Sequence, residues 1–147
     1  MPAMYQRVAV LVAALGLCGC GSKTEIPNRK PTFPVTGILV VDGNPAEDVQ
    51  ITCQSVTGID KENPTTSSTN TDADGEFKIS TYASGDGVPE GEYVLTFFWG
   101  HTDVFTREYV GPDKLNNRYR DPKTATVKFT VEQGTPTDLG KIELTSK

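Results

Sequence analysis

Few residues in this chain could do chemistry. There is one histidine, His101, and three cysteines, Cys18, Cys20 and Cys53. Structural zinc sites draw their ligands chiefly from these two residue types, so a His/Cys-rich zinc site is excluded by count once two of the cysteines are assigned to the N-terminus. A Ser-His-Asp triad would have to use His101, which sits two residues past Trp99 at an expected strand end. No Gly-x-Ser-x-Gly turn is present to present a nucleophile. Asp72, Asp74 and Glu76 surround Gly75, but a calcium loop needs a further Asp or Asn before the glycine and a distant Glu, and neither is in register. A solvated turn is expected there, and the same reading holds for Asp86, Glu90 and Glu92. Paired carboxylates can hydrolyse glycosides only across a cleft, which a small β-domain does not promise. The expectation is a chain with no catalytic residue, no metal and no cofactor.

The side chains left are those that make contacts. Segment 100–124 is long for a connection in a compact domain. It carries Phe105, Tyr109 and Tyr119 beside Arg107, Arg118 and Arg120, and Tyr and Arg are enriched where proteins bind partners. Either these residues form a contact surface for an envelope protein, a glycan or a peptide, or Tyr109, Leu115 and Tyr119 pin the segment to the fold. Phe98, with Val94, faces away from Tyr93, Leu95 and Trp99. It is either an exposed contact or covered by that same segment.

The elements that must hold these residues begin after an N-terminal segment of different character. Residues 1–19 read as an export signal: Arg7 precedes an apolar run from Val8 to Leu17, too short to span a bilayer. The run ends Leu17-Cys18-Gly19-Cys20, which resembles the bacterial lipobox, with small Gly19 before the cleaved bond and Leu17 three residues before the cysteine. The resemblance implies diacylglyceryl transfer to the Cys20 thiol, cleavage, and N-acylation (palmitate being a typical chain). More than one acyl chain would hold the protein on a membrane stably. An ordinary secretory signal with incidental cysteines is the other reading. Residues 20–34 are then a lipidated terminus and a polar tether stiffened by Pro27, Pro31 and Pro34. Cys53 alternates with Val49 and Ile51 and is expected to be a buried thiol.

Residues 35–147 read as a β-domain. Ten prolines and fourteen glycines favour a loop-rich all-β fold, and a net charge of −5 gives no basic field for nucleic acid. Apolar residues alternate at Val35–Val41, Val49–Cys53, Phe77–Ile79, Tyr93–Trp99, Ala125–Val131 and Ile142–Leu144, with turn signals between them. Residues 91–99 carry the greatest apolar bulk and are expected to form the central strand. About seven short strands in a two-sheet, antiparallel Greek-key sandwich are expected.

Val35-x-Gly37-x-Leu39-x-Val41-Asp42-Gly43-x-Pro45, Thr71-Asp72-x-x-Gly75-x-Phe77 and Gly91-x-Tyr93-x-Leu95 resemble the carboxypeptidase regulatory-like domains. Asp113-Lys114-Leu115-x-x-x-Tyr119 is similar to a segment of small envelope lipoproteins that carry such domains. The resemblance implies a transthyretin-like (prealbumin-like) sandwich, non-enzymatic and used as an interaction or structural module. The transthyretin-like hydrolases end Tyr-Arg-Gly-Ser, whereas this chain ends Leu144-Thr145-Ser146-Lys147.

Overall fold

A computed structural model describes residues 28–147. Cys18, Cys20, the expected export signal and the first part of the expected tether lie outside the described residues. Ten strands appear: β1 (Val35–Val41), β2 (Asn44–Pro45), β3 (Gln50–Ser55), β4 (Ser67–Asn70), β5 (Glu76–Lys78), β6 (Gly91–Phe98), β7 (His101–Thr102), β8 (Tyr109–Val110), β9 (Lys128–Val131) and β10 (Thr137–Leu144). Among the described residues there is no helix, hence none long and apolar enough to cross a membrane.

One sheet is built on β1. Strand β10 lies on one side of it, and β5 and β2 share the other, against Thr36–Ile38 and Val40–Val41 respectively. The second sheet runs β4-β3-β6-β9 and is antiparallel throughout. Strands β7 and β8 form a separate hairpin. The apolar alternation of both sheets is satisfied in one core: Leu39, Phe77 and Leu144 from the first sheet pack with Ile51, Leu95, Phe97 and Val131 from the second. Full burial of such a side chain stabilises by roughly 1.5–3 kcal/mol. The result is an all-β fold consistent with a β-sandwich.

The expectation of purely antiparallel pairing fails at β10, which runs parallel to β1, from Val35 opposite Thr137 to Val41 opposite Leu144. The turn after β9 delivers the chain to the start of β1, where the Thr137 N–H donates to the Pro34 carbonyl at 2.9 Å. A strand that starts beside the start of β1 must run in the same direction. Alternation encodes which face a side chain takes and says nothing of direction.

Turn 72–75 is a corner more than a simple hairpin, because β4 and β5 belong to different sheets, with the Ser68–Ser80 bridge forming just beyond β5. The Asp72 carboxylate accepts the N–H groups of Asp74 and Glu76, and Gly75 has φ +75° with the Leu39 carbonyl where a β-carbon would stand. Its acidic residues thus serve the backbone turn.

Strand β6 is buried on both faces: Val94 and Thr96 are buried as well as Tyr93, Leu95 and Phe97. Strand β9 is shorter than expected and forms a sheet edge, so Phe129 is only half-buried, stacked on Tyr93 with ring centroids 5.8 Å apart. Before β1 the chain is laid on the fold over the last part of the expected tether. Phe33 exchanges backbone hydrogen bonds with Val88, Lys30 pairs with Asp60, and the Arg29 guanidinium lies 4.8 Å from the Tyr82 ring centroid. Gly87 permits this close approach, having φ +85° and no β-carbon to strike the Phe33 carbonyl.

Candidate functional site: the 100–124 segment

Segment 100–124 holds structure that its composition concealed. The short β7–β8 pair closes with Thr102 opposite Tyr109 and His101 opposite Val110. The tip between them is tied by the Asp103 carboxylate, which accepts the N–H groups of Thr106 (2.9 Å) and Phe105 (2.8 Å). Those bonds hold the Asp103 carboxyl below its ordinary range. Arg107 takes a left-handed φ of +60° to complete the reversal. Phe105 is 93% exposed and Val104 81%.

The base of the hairpin is fastened in the opposite manner. The Tyr109 hydroxyl accepts the Gly100 N–H at 2.8 Å and donates to the Asp48 carbonyl, and burial pushes this phenol up from its ordinary value. Its ring meets Phe98 edge-on at 5.3 Å. Beyond β8, buried Asp113 accepts the N–H groups of Trp99 (3.0 Å), Leu115 (2.9 Å) and Asn117 (3.0 Å), and Leu115 is wholly buried. The Tyr119 ring meets Phe97 edge-on, and its hydroxyl accepts the Thr145 N–H at 3.1 Å. Arg118 donates to the Thr145 hydroxyl at 3.1 Å.

The six residues singled out from sequence therefore divide. Tyr109, Arg118 and Tyr119 are engaged in holding the segment to the fold. Phe98 is half-buried beneath Tyr109 and the Arg120 guanidinium, 4.5 Å from its ring centroid, so the segment covers it. Phe105 and Arg107 alone are together at the tip. Two residues of this arrangement escaped the sequence reading. Val104 completes the exposed apolar pair, and nothing but adjacency to Phe105 marks it. Asp113 positions the whole segment, and its place ahead of Leu115 and Tyr119 in one motif was the available signal. Trp99, half-buried, donates its indole N–H to the Glu47 carbonyl at 3.1 Å.

His101 lies exposed on β7, its ring packed over Gly111. Among the described residues no group of three His, Cys, Asp or Glu side chains is placed to hold a metal ion. Cys53 is buried, and desolvation pushes its thiol up to about 12. At the other end of β6 a depression of about 690 Å³ lies over Val94 and Lys128, walled by Val56, Gly58, Pro122 and Lys123.

No family model matches the chain. The fold is similar to part of the crystal structure of a 9R-lipoxygenase from Cyanothece PCC8801 (16% identity, TM-score 0.38, covering 78% of this chain and 16% of that one). It is also similar to part of BcpA*(D312A), the major pilin subunit of Bacillus cereus (12% identity, TM-score 0.42, 78% of this chain and 29% of that one). The chain thus spans less than a third of either solved protein. It is 36% identical over 100 residues to the uncharacterised protein YbfJ of Bacillus subtilis (strain 168), an alignment covering 63% of this chain and 75% of YbfJ. The chain belongs to the family of YbfJ.

Proposed function

We propose that this is an exported lipoprotein, held by an acylated Cys20 on an envelope membrane, whose carboxypeptidase regulatory-like sandwich is a non-enzymatic interaction module. The observation that carries the contact reading is the tip of the β7–β8 hairpin, where Val104 and Phe105 stand in water on a tightly fastened base. Apolar side chains displayed on a rigid element give contact area at little ordering cost. The anchor is supported by Leu17-Cys18-Gly19-Cys20. Glycan or peptide recognition by the aromatic rings of the segment has less support, because the hydroxyls of Tyr109 and Tyr119, like the indole N–H of neighbouring Trp99, are engaged with the protein's own backbone.

The test is photo-crosslinking of the intact lipoprotein in its native envelope, with Phe105→Ser and Val104→Ser compared against wild type. The expected result is loss of the crosslinked product with stability changed by no more than about 0.5 kcal/mol, as for other surface substitutions. Unchanged crosslinking in both variants would refute the tip as the contact surface.

A further inference from the structure

The two ends of the domain differ in what they expose. Register across the second sheet places Ser55 beside Tyr93 and Tyr93 beside Phe129 at one end, and Gln50 beside Phe98 at the other. The β7–β8 hairpin leaves from the Phe98 end. The N-terminal chain arrives at the Ser55 end, where Phe33 bonds to Val88, Arg29 lies over Tyr82 and Lys30 pairs with Asp60. Asn28 follows Cys20 by eight residues. At ~3.1 Å per residue in extended polyproline geometry that segment reaches ~25 Å. Strand β6 has eight residues and at ~3.3 Å per residue is about as long. While residues 29–34 stay laid on the fold, an anchor at Cys20 holds the Ser55 end within about 25 Å of the bilayer.

That same end carries an exposed apolar pair with no contact to account for it. Val56 is 56% exposed and Ile59 79%. Both stand on one turn whose backbone is fixed: the Val56 N–H donates to the Glu92 carbonyl at 2.9 Å, and the Asp60 carboxylate accepts the N–H groups of Glu62 and Asn63. Ile59 lies between Gly58, which walls the depression over Val94, and Asp60, which holds Lys30. Lys123 and Lys128 line the depression beside the pair together with Glu92, and Lys61 follows Asp60 in the chain. Apolar tips with lysines beside them suit the headgroup region, where the side chains leave water while the ammonium groups meet phosphate.

We infer that the Val56–Ile59 turn is a membrane-resting surface, touching the bilayer that holds the acyl anchor and so orienting the β7–β8 hairpin outward. This rests on the lipid-anchor reading. A lipid surface is the occupant favoured over a protein because the chain itself leads to the anchor at this end. Lipidation supplies attachment, and the turn supplies orientation.

The experiment uses the full-length acylated protein in vesicles of phosphatidylethanolamine and phosphatidylglycerol. An environment-sensitive fluorophore is placed at Ile59→Cys or at Phe105→Cys, both exposed, while buried Cys53 stays unlabelled. Nitroxide-bearing lipids are then added as quenchers. The expected result is several-fold stronger quenching at position 59 than at position 105, and a drop in the position 59 signal when Val56→Ser is added. Co-flotation with the vesicles but equal or weaker quenching at position 59 would overturn the resting surface and leave the anchor intact. Failure to co-float would overturn the anchor reading, and the inference with it.

Discussion

At the scale of single residues, burial decides what each reactive group can do. Cys53 is the one thiol among the described residues, and desolvation raises it from its ordinary 9.0 to about 12. Folding therefore favours the protonated thiol. Its contribution is fully present below 9.0 and is lost as pH climbs through the folded value, since the unfolded chain gives up the proton first. Tyr93, raised by burial from 10.0 to about 12, acts in the same sense over the upper part of this window. Urea denaturation of wild type should show stability starting to fall from pH 9.0, whereas Cys53→Ala should be less stable at neutral pH but hold level until the phenols of Tyr93 and Tyr109 come into play. Identical alkaline slopes in the two proteins would show the thiol to be solvated. Asp113 is the complementary case, a buried carboxylate whose oxygens take three backbone N–H groups. Asp113→Ala should cost about 2–4 kcal/mol, because it strands donors as well as removing charge-assisted bonds. Asp113→Asn, which keeps one acceptor oxygen, should lose less in the same denaturation assay.

At the scale of elements, what was legible in the sequence was each strand's inward face. Val49, Ile51 and Cys53, and likewise Phe77 and Ile79, lie where alternation places them. Direction and neighbours were not legible, because they depend on where a turn delivers the chain, and this is why the parallel β1–β10 pair was unforeseen. Edge position was hidden for the same reason, and Phe129 shows the consequence. Its alternation with Val127 and Val131 reads as a core strand, yet β9 has one neighbour and the ring stays half-exposed. Phe129→Ala should therefore cost about 1–2 kcal/mol, well below the roughly 3–5 kcal/mol of a buried Phe, which Phe97→Ala should show. Equal losses in the two variants would mean that β9 is covered in solution. Segment 100–124 was harder still, because pinning and binding call for the same residue types. Only the partners of each hydroxyl and guanidinium distinguish Tyr109 and Arg118, which hold the segment, from Phe105 and Arg107, which do not.

At the scale of the whole molecule, two ends of one sandwich carry different apolar pairs, and the anchor decides what each can meet. With acyl chains on Cys20, Val56 and Ile59 face lipid while Val104 and Phe105 face whatever lies across from it. Without them neither direction is defined. The placement of the acylated residue is thus the step on which the functional reading depends. Gly19 stands before Cys20, as the lipobox requires of the position next to cleavage, whereas bulky Leu17 stands before Cys18. Cys20→Ser should abolish metabolic labelling by palmitate and move the protein from the membrane to the soluble fraction, and Cys18→Ser should leave both unchanged. Because Cys53 is buried in the core, it offers no alternative site of acylation in the folded chain. Residual labelling of Cys20→Ser that disappears only when Cys18 is also replaced would transfer the anchor two residues upstream. Absence of palmitate labelling in the wild type would remove the anchor altogether, and the two apolar pairs would then have to be explained as surfaces of a domain without a lipid anchor.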